Sequence, residues 1–142
     1  MQVRPAIIPC LWYRDAPAAI AFLCEGFGFE CRAVHADDQD PSLIHHAELV
    51  REHHMIMLSS QRCDTEFTRK ARALRPEDAG GNTQGIYIVL DEVDSHAARA
   101  RAAGARIILE PADQDYGGRT YTALDPEGHV WSFGSYDPWA AG

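Results

Sequence analysis

The chain has 142 residues, 46% of them hydrophobic, which is enough to bury the core of one domain or of two small fused modules. Its formal net charge is −8, and it carries no stripe of Lys or Arg, which argues against binding to nucleic acid or to an anionic membrane. No apolar run approaches the length of a membrane span and the first residues lack a signal-peptide core, so we expect a cytoplasmic protein.

The first part of the chain predicts a strand, a helix and three further strands. Residues 6–13 form a short apolar run that is typical of a strand buried on both faces. Asp15 and Pro17 favour the start of a helix, and the apolar residues that follow share one helical face. The three strands are predicted at residues 29–34, 43–50 and 55–60.

A linker and a second module follow. Residues 61–84 contain a possible short helix capped by Asp64, then a stretch rich in Pro and Gly whose length suggests mobility or a lid. The pattern then begins again with a strand, a helix ended by Gly104, and three strands. Module one (6–60) and module two (85–136) therefore share one architecture, strand–helix–strand–strand–strand, with little sequence identity.

Two β-α-β-β-β modules in a chain of this length resemble the vicinal oxygen chelate superfamily. That superfamily includes glyoxalase I, fosfomycin- and bleomycin-resistance proteins and extradiol dioxygenases. The local carriers of the resemblance are residues 15–22 with Gly28-Phe29, residues 90–94 with Gly104-Ala105, and the turn Asp125-Pro126-Glu127-Gly128-His129. Three further segments resemble the branch often labelled PhnB-like: His46-Ala47-Glu48-Leu49, Tyr116-Gly117-Gly118-Arg119 and Trp131-Ser132-Phe133-Gly134.

The resemblance implies an α+β fold in which two modules form a curled mixed-sheet cleft with the helices outside. Metal enzymes of the superfamily hold one divalent ion there with His, Gln or Glu from four strand positions. By alignment, Ile8, Met57, Gly85 and Ser132 occupy those positions here. These side chains cannot form a site for a hard divalent ion, so we expect no cofactor.

Strand alternation assigns side chains to the inner face of the cleft. His46 and Glu48 lie two residues apart on one strand, so both point inward and form a candidate acid–base pair. The same pair could hydrogen-bond to hold the sheet or a dimer together, or supply two ligands to a displaced divalent metal. The candidate ligand-binding residues on this face are Trp12, Met57, Tyr87, Thr120, Thr122 and Ser132.

Three functions remain open at this stage. The resemblance to the bleomycin-resistance branch favours a homodimer that binds a small organic molecule in a metal-free cleft, with no nucleic-acid or membrane partner. A second possibility is a lyase, isomerase or dioxygenase that uses His46 and Glu48 as metal ligands or as acid and base. A third is a stable fold without a specific ligand, because membership of a superfamily does not fix function.

Overall fold

Two four-stranded mixed sheets form the frame of the protein in the computed structural model, which describes residues 2–140. Sheet one has the order β1-β4-β3-β2 and sheet two the order β5-β8-β7-β6, and in each the first and last strands of the module pair in parallel. This confirms the predicted fold class. The strands are β1 Cys10–Tyr13, β2 Glu30–Ala36, β3 Ile44–Arg51, β4 His54–Ser60, β5 Ile86–Val89, β6 Arg106–Asp113, β7 Arg119–Leu124 and β8 Val130–Gly134.

The helices are α1 Ala16–Phe27, α2 Glu66–Ala71, α3 Pro76–Ala79 and α4 Val93–Ala103. Asp15 caps α1 by accepting a hydrogen bond from the Ala18 amide at 3.1 Å, as expected of a side chain at that position. The cap of α2 is Thr65 rather than the predicted Asp64, because Thr65 and Thr68 satisfy each other's amides in a capping box. None of the helices in residues 2–140 is long and apolar enough to cross a membrane.

Proline affects the bounds of two strands. The first strand starts at Cys10 instead of residue 6, and Ile7 before it is 97% exposed. Pro9 has no amide hydrogen to donate to a neighbouring strand, although its carbonyl accepts a hydrogen bond from the Met57 amide at 2.9 Å. By contrast, β6 continues through Glu110 and Pro111, because it is an edge strand with an irregular register that tolerates proline.

The two sheets share one core through the faces that meet the helices. Phe27, at the end of α1, packs against Trp131 at 5.2 Å and Phe133 at 4.8 Å between ring centroids. Leu11, Leu49 and Leu58 of sheet one belong to the same buried cluster. The other face of each sheet is turned away from this core, and we call it the open face of that sheet.

The turn between β7 and β8 connects the modules. The Asp125 carboxylate, 4% exposed, accepts hydrogen bonds from the Tyr13 hydroxyl at 2.6 Å and from the Trp131 indole at 3.1 Å. Its other oxygen accepts from the amides of Glu127 and His129, and Gly128 supplies the positive φ of 88° that closes the turn. Glu127 then accepts the amides of Arg14 and Asp15 at 2.6 and 2.9 Å. One short turn therefore fixes β8 to the junction of β1 and α1.

A buried histidine completes the shared core. His96 of α4 is 8% exposed, accepts a hydrogen bond from the Tyr121 hydroxyl at 2.6 Å and donates to the Phe27 carbonyl at 3.1 Å. Both ring nitrogens are satisfied in the neutral form. Burial lowers the pKa of His96 below its ordinary value, because a charged ring would lose its hydration.

Replacing Asp125 should destabilise the whole fold. Asp125→Ala leaves the Tyr13 hydroxyl and the Trp131 indole without their acceptor, and we expect the free energy of unfolding to fall by about 3 kcal/mol in urea titrations. Tyr13→Phe removes only one of these bonds and should cost about 1 kcal/mol. Asp115→Ala, at an exposed turn, is the matched control, and an equal loss there would contradict the role of Asp125.

The buried His96 predicts a loss of stability in mildly acidic solution. Its folded pKa lies below the 6.5 of an ordinary histidine, so the unfolded chain takes up the proton first as the pH falls. The free energy of unfolding should therefore decline as the pH drops through 6.5 toward the lower folded pKa. Urea midpoints across this range should fall less steeply in His96→Gln, and identical slopes would refute the assignment.

Candidate functional site

The open face of sheet one carries a groove. The register aligns Cys10 with Met57 and Trp12 with Ser59, so these four side chains share the face, and Glu48 opposes Met57 on β3. A cavity of about 190 Å³ lies above them and is bordered on its other side by α2. The side chains that line this groove and can contact a bound molecule are those of Cys10, Trp12, His46, Met57, Ser59, Cys63 and Phe67.

An aromatic pair forms two walls of the groove. The Phe67 ring on α2 stacks on the Trp12 ring with centroids 6.1 Å apart and planes 28° apart. Phe67 is nevertheless 64% exposed, and α2 has no buried residue. The segment that carries α2 is tied to the turn after β4. Thr68, inside the helix, donates to the Cys63 carbonyl at 2.8 Å, and Arg75, beyond the helix, donates to the Gln61 side chain at 2.7 Å.

The predicted pair His46 and Glu48 is in direct contact. His46 Nε2 lies 3.0 Å from Glu48 Oε2, and the side chains are 39% and 29% exposed. Arg32 approaches the other Glu48 oxygen at 3.8 Å, and the His35 ring stacks on His46 at 6.0 Å. His46 borders the groove, so the pair can present a hydrogen-bonding group to a molecule bound there.

Tyr87, Thr120, Thr122 and Ser132 lie on the open face of sheet two. Ser132 is in register with Tyr87 and Thr122, and the Thr122 and Ser132 hydroxyls are 2.8 Å apart. The Tyr87 hydroxyl donates to the Tyr136 carbonyl at 2.6 Å, and Thr120 accepts from Gln114 at 2.9 Å. The structure brings Trp12, Met57 and His46 together but places these four residues on a different sheet.

The positions expected for a metal do not fit a hard divalent ion. Ile8 and Gly85 precede the first strands of their modules, and the register sets Cys10 beside Met57 and Tyr87 beside Ser132. A thioether, a single thiol, a phenol and a hydroxyl are not the ligand set that such ions require. Within residues 2–140, no group of three His, Cys, Asp or Glu side chains is arranged to hold a metal. We therefore derive no reaction step through a metal.

A larger cavity of about 480 Å³ lies on the helix side, near the Asp125 turn. Its polar groups are already engaged, since Glu127 accepts the amides of Arg14 and Asp15 and also lies 3.5 Å from Arg75. These contacts explain why the groove, and not this cavity, is the better candidate site.

Five groove residues were not predicted as site residues: Cys10, Ser59, His45, Cys63 and Phe67. Phe67 was placed on a short helix, but nothing in the sequence indicates that this helix lies over Trp12. His45 reaches Cys63 because of a β-bulge in β3. His35 of β2 pairs with His46, and the next residue, Ala36, pairs with Ile44. His45 is therefore the extra residue on β3. Simple alternation would have turned His45 toward the core beside Ala47. No signal in a single sequence marks such a bulge.

Comparison with known proteins agrees with this fold. A model of the Glyoxalase/Bleomycin resistance protein/Dioxygenase superfamily matches residues 7–133. The chain belongs to this superfamily. It is 31% identical over 134 residues to the uncharacterised protein Mb0911c of Mycobacterium bovis, which covers 94% of this chain and 85% of the relative.

Solved structures share the fold. TioX from Micromonospora sp. ML1 has 27% identity and a TM-score of 0.69, with 92% of this chain and 98% of TioX covered. A mutant of the fosfomycin resistance protein FosX from Listeria monocytogenes, solved with Mn(II) and 1S,2S-dihydroxypropylphosphonic acid, has 16% identity and a TM-score of 0.66, with 96% and 94% covered. At that identity, FosX supports the fold alone.

Proposed function

We propose that the protein binds a small planar organic molecule in the groove of sheet one, without a metal. The observation that carries this proposal is the stacked pair of Trp12 and Phe67, which both line the groove. Aromatic faces of this kind stabilise a flat ligand by stacking on both of its sides.

A flat ligand could enter between the two rings after a small movement of α2. The centroids are 6.1 Å apart, and a ring inserted between them needs two contacts of about 3.5 Å each, or about 7 Å in all. The centroid distance is an upper bound on the gap between the ring faces, so α2 has to shift by at least about 1 Å. Because α2 buries none of its residues, such a movement breaks few contacts.

Polar groups at the floor of the groove would orient the ligand. Ser59 supplies a hydroxyl beside Trp12, and His46, backed by Glu48, supplies a ring nitrogen. A mostly apolar cavity with a few placed polar groups is typical of small-molecule sites. The net charge of −8 favours a neutral or cationic ligand over an anion.

We further propose that a second copy of the chain completes the cleft. The open face of sheet two carries apolar side chains in contact with solvent, with Tyr87 38%, Val89 44% and Leu109 64% exposed. Within one chain this face contributes no residue to the lining of the groove, because the two sheets meet through their other faces. In a homodimer, Tyr87, Thr120, Thr122 and Ser132 of one copy would face the groove of the other.

An acid–base enzyme remains the second candidate, and the 3.0 Å contact between His46 and Glu48 at the edge of the groove favours it. A bound compound recovered unchanged supports the binding protein, whereas a converted compound supports the enzyme. The PhnB-like branch and the cytoplasmic location stay predictions.

Ligand binding can be tested by thermal shift with a panel of bicyclic aromatic amines and their saturated analogues. We expect some of the planar compounds to raise the melting temperature, and their saturated analogues not to do so. Trp12→Ala should weaken binding about tenfold or more, because one stacking wall is lost. Phe67→Ala should weaken it to a smaller extent, since Phe67 is the more exposed of the two walls.

Trp139→Ala is the matched control, because Trp139 is 98% exposed and remote from the groove in sequence. The proposal fails if no planar compound stabilises the protein. It also fails if the Trp12→Ala and Trp139→Ala variants bind the stabilising compound with equal affinity.

The homodimer is tested by sedimentation at micromolar protein concentration. We expect the wild type to sediment as a dimer and Leu109→Arg to sediment as a monomer, because the substitution places a charge on the open face in register with Thr122. Val3→Arg, at an 83% exposed position near the start of the chain, should remain a dimer. A monomeric wild type would rule out a cleft shared between copies.

A further inference from the structure

A chain of three polar side chains lies at the end of the groove. His45 Nε2 is 3.0 Å from Asp37 Oδ1, and His45 Nδ1 is 3.7 Å from the Cys63 sulfur. In the resting structure the thiol donates its hydrogen to the Ile44 carbonyl at 3.3 Å, and His45 Nδ1 is the second acceptor within its reach. A carboxylate, an imidazole and a thiol in this order are the components of a base-assisted nucleophile.

The β-bulge in β3 creates this arrangement. His45 is the residue that opposes nothing on β2, since Ile44 and His46 pair with the consecutive residues Ala36 and His35. Bulges turn a side chain away from the direction that alternation would give it. Here Ile44 and Ala47 both stay buried, and His45 is released to reach Asp37 and Cys63.

Asp37 fixes the tautomer of His45. Its second oxygen accepts the amides of Gln39 and Asp40 at 3.0 and 3.1 Å, which leaves the first oxygen for His45. The hydrogen bond from His45, followed by those from the amides, lowers the pKa of Asp37, so this carboxyl is an ionised acceptor. His45 therefore donates from Nε2 and keeps a lone pair on Nδ1, facing the thiol.

We propose that Cys63 is a nucleophile that captures α,β-unsaturated carbonyl compounds, with His45 as its base and Asp37 as the residue that orients the base. Cys63 borders the groove, so a compound that enters beside Phe67 reaches the sulfur. Burial raises the pKa of Cys63, so the thiol is neutral at rest and needs a base at the moment of attack.

The addition is balanced without a further reactant. The thiol hydrogen rotates from the Ile44 carbonyl to His45 Nδ1, which takes the proton and becomes an imidazolium paired with Asp37. The sulfur electron pair forms a bond to the β-carbon, and the π pair of the carbon–carbon double bond moves to the α-carbon. That carbon then takes the proton from Nδ1, which restores the neutral histidine and leaves a thioether at Cys63.

Acrylamide, a small α,β-unsaturated amide, tests the proposal through the rate of modification at each cysteine, followed by mass spectrometry of peptides. Cys31 is exposed and provides a reference within the same molecule, whereas Cys63 is only 6% exposed. We expect the wild type to be modified at Cys63 at least as fast as at Cys31. His45→Gln should slow Cys63 about tenfold or more and leave Cys31 unchanged.

His53→Gln, on the exposed turn between β3 and β4, is the matched control and should leave both rates unchanged. Asp37→Asn should slow Cys63 by a smaller factor, because it keeps an acceptor but removes the charge. Local unfolding in a variant would speed the modification of Cys63, so it cannot imitate the expected result. The proposal is overturned if Cys63 reacts more slowly than Cys31 in the wild type, or if His45→Gln reacts at the wild-type rate. If Cys63 in Asp37→Asn is modified at the wild-type rate, Asp37 does not orient the base.

Discussion

The buried carboxylate of Asp125 is the constraint on which the rest of the structure depends. It is the common acceptor for Tyr13 of β1 and Trp131 of β8, while its own turn places Glu127 on the amides that begin α1. The hydrophobic faces of the two sheets then meet in a single core around Phe27 and His96. Because these faces are used to join the modules, the open face of each sheet is left outside the shared core.

That geometry decides where function can lie. The open face of sheet one is partly covered by α2, which creates a groove with an aromatic pair, a histidine–glutamate pair and a thiol. The open face of sheet two keeps its polar groups paired with one another and leaves apolar side chains exposed. A ligand groove on one face and an apolar surface on the other are what a cleft shared between two copies would need. In the proposed function, the short helix over the groove would serve as a movable wall.

Much of the fold followed from the sequence because it rests on local patterns. The repeated strand–helix–three-strand module was readable from apolar periodicity and turn residues, and the period of two placed His46, Glu48 and Met57 on one face. What the sequence did not predict also has physical causes. Pro9 delays the first strand, the bulge turns His45 against the alternation, and the contact between Phe67 and Trp12 joins residues far apart in sequence. The sharing of one core by both modules likewise depends on long-range packing around Phe27 that no local pattern encodes.

Hydrogen–deuterium exchange with and without a stabilising aromatic amine tests most directly whether the groove of sheet one is the binding site. The groove and the cavity beside Asp125 are formed by different segments of the chain, so the two sites have separable signatures. We predict slower exchange on binding in β1, in β4 and in the segment that carries α2, with little change in residues 14–23 and 125–128. Slower exchange confined to residues 14–23 and 125–128 would contradict the assignment of the site to the groove.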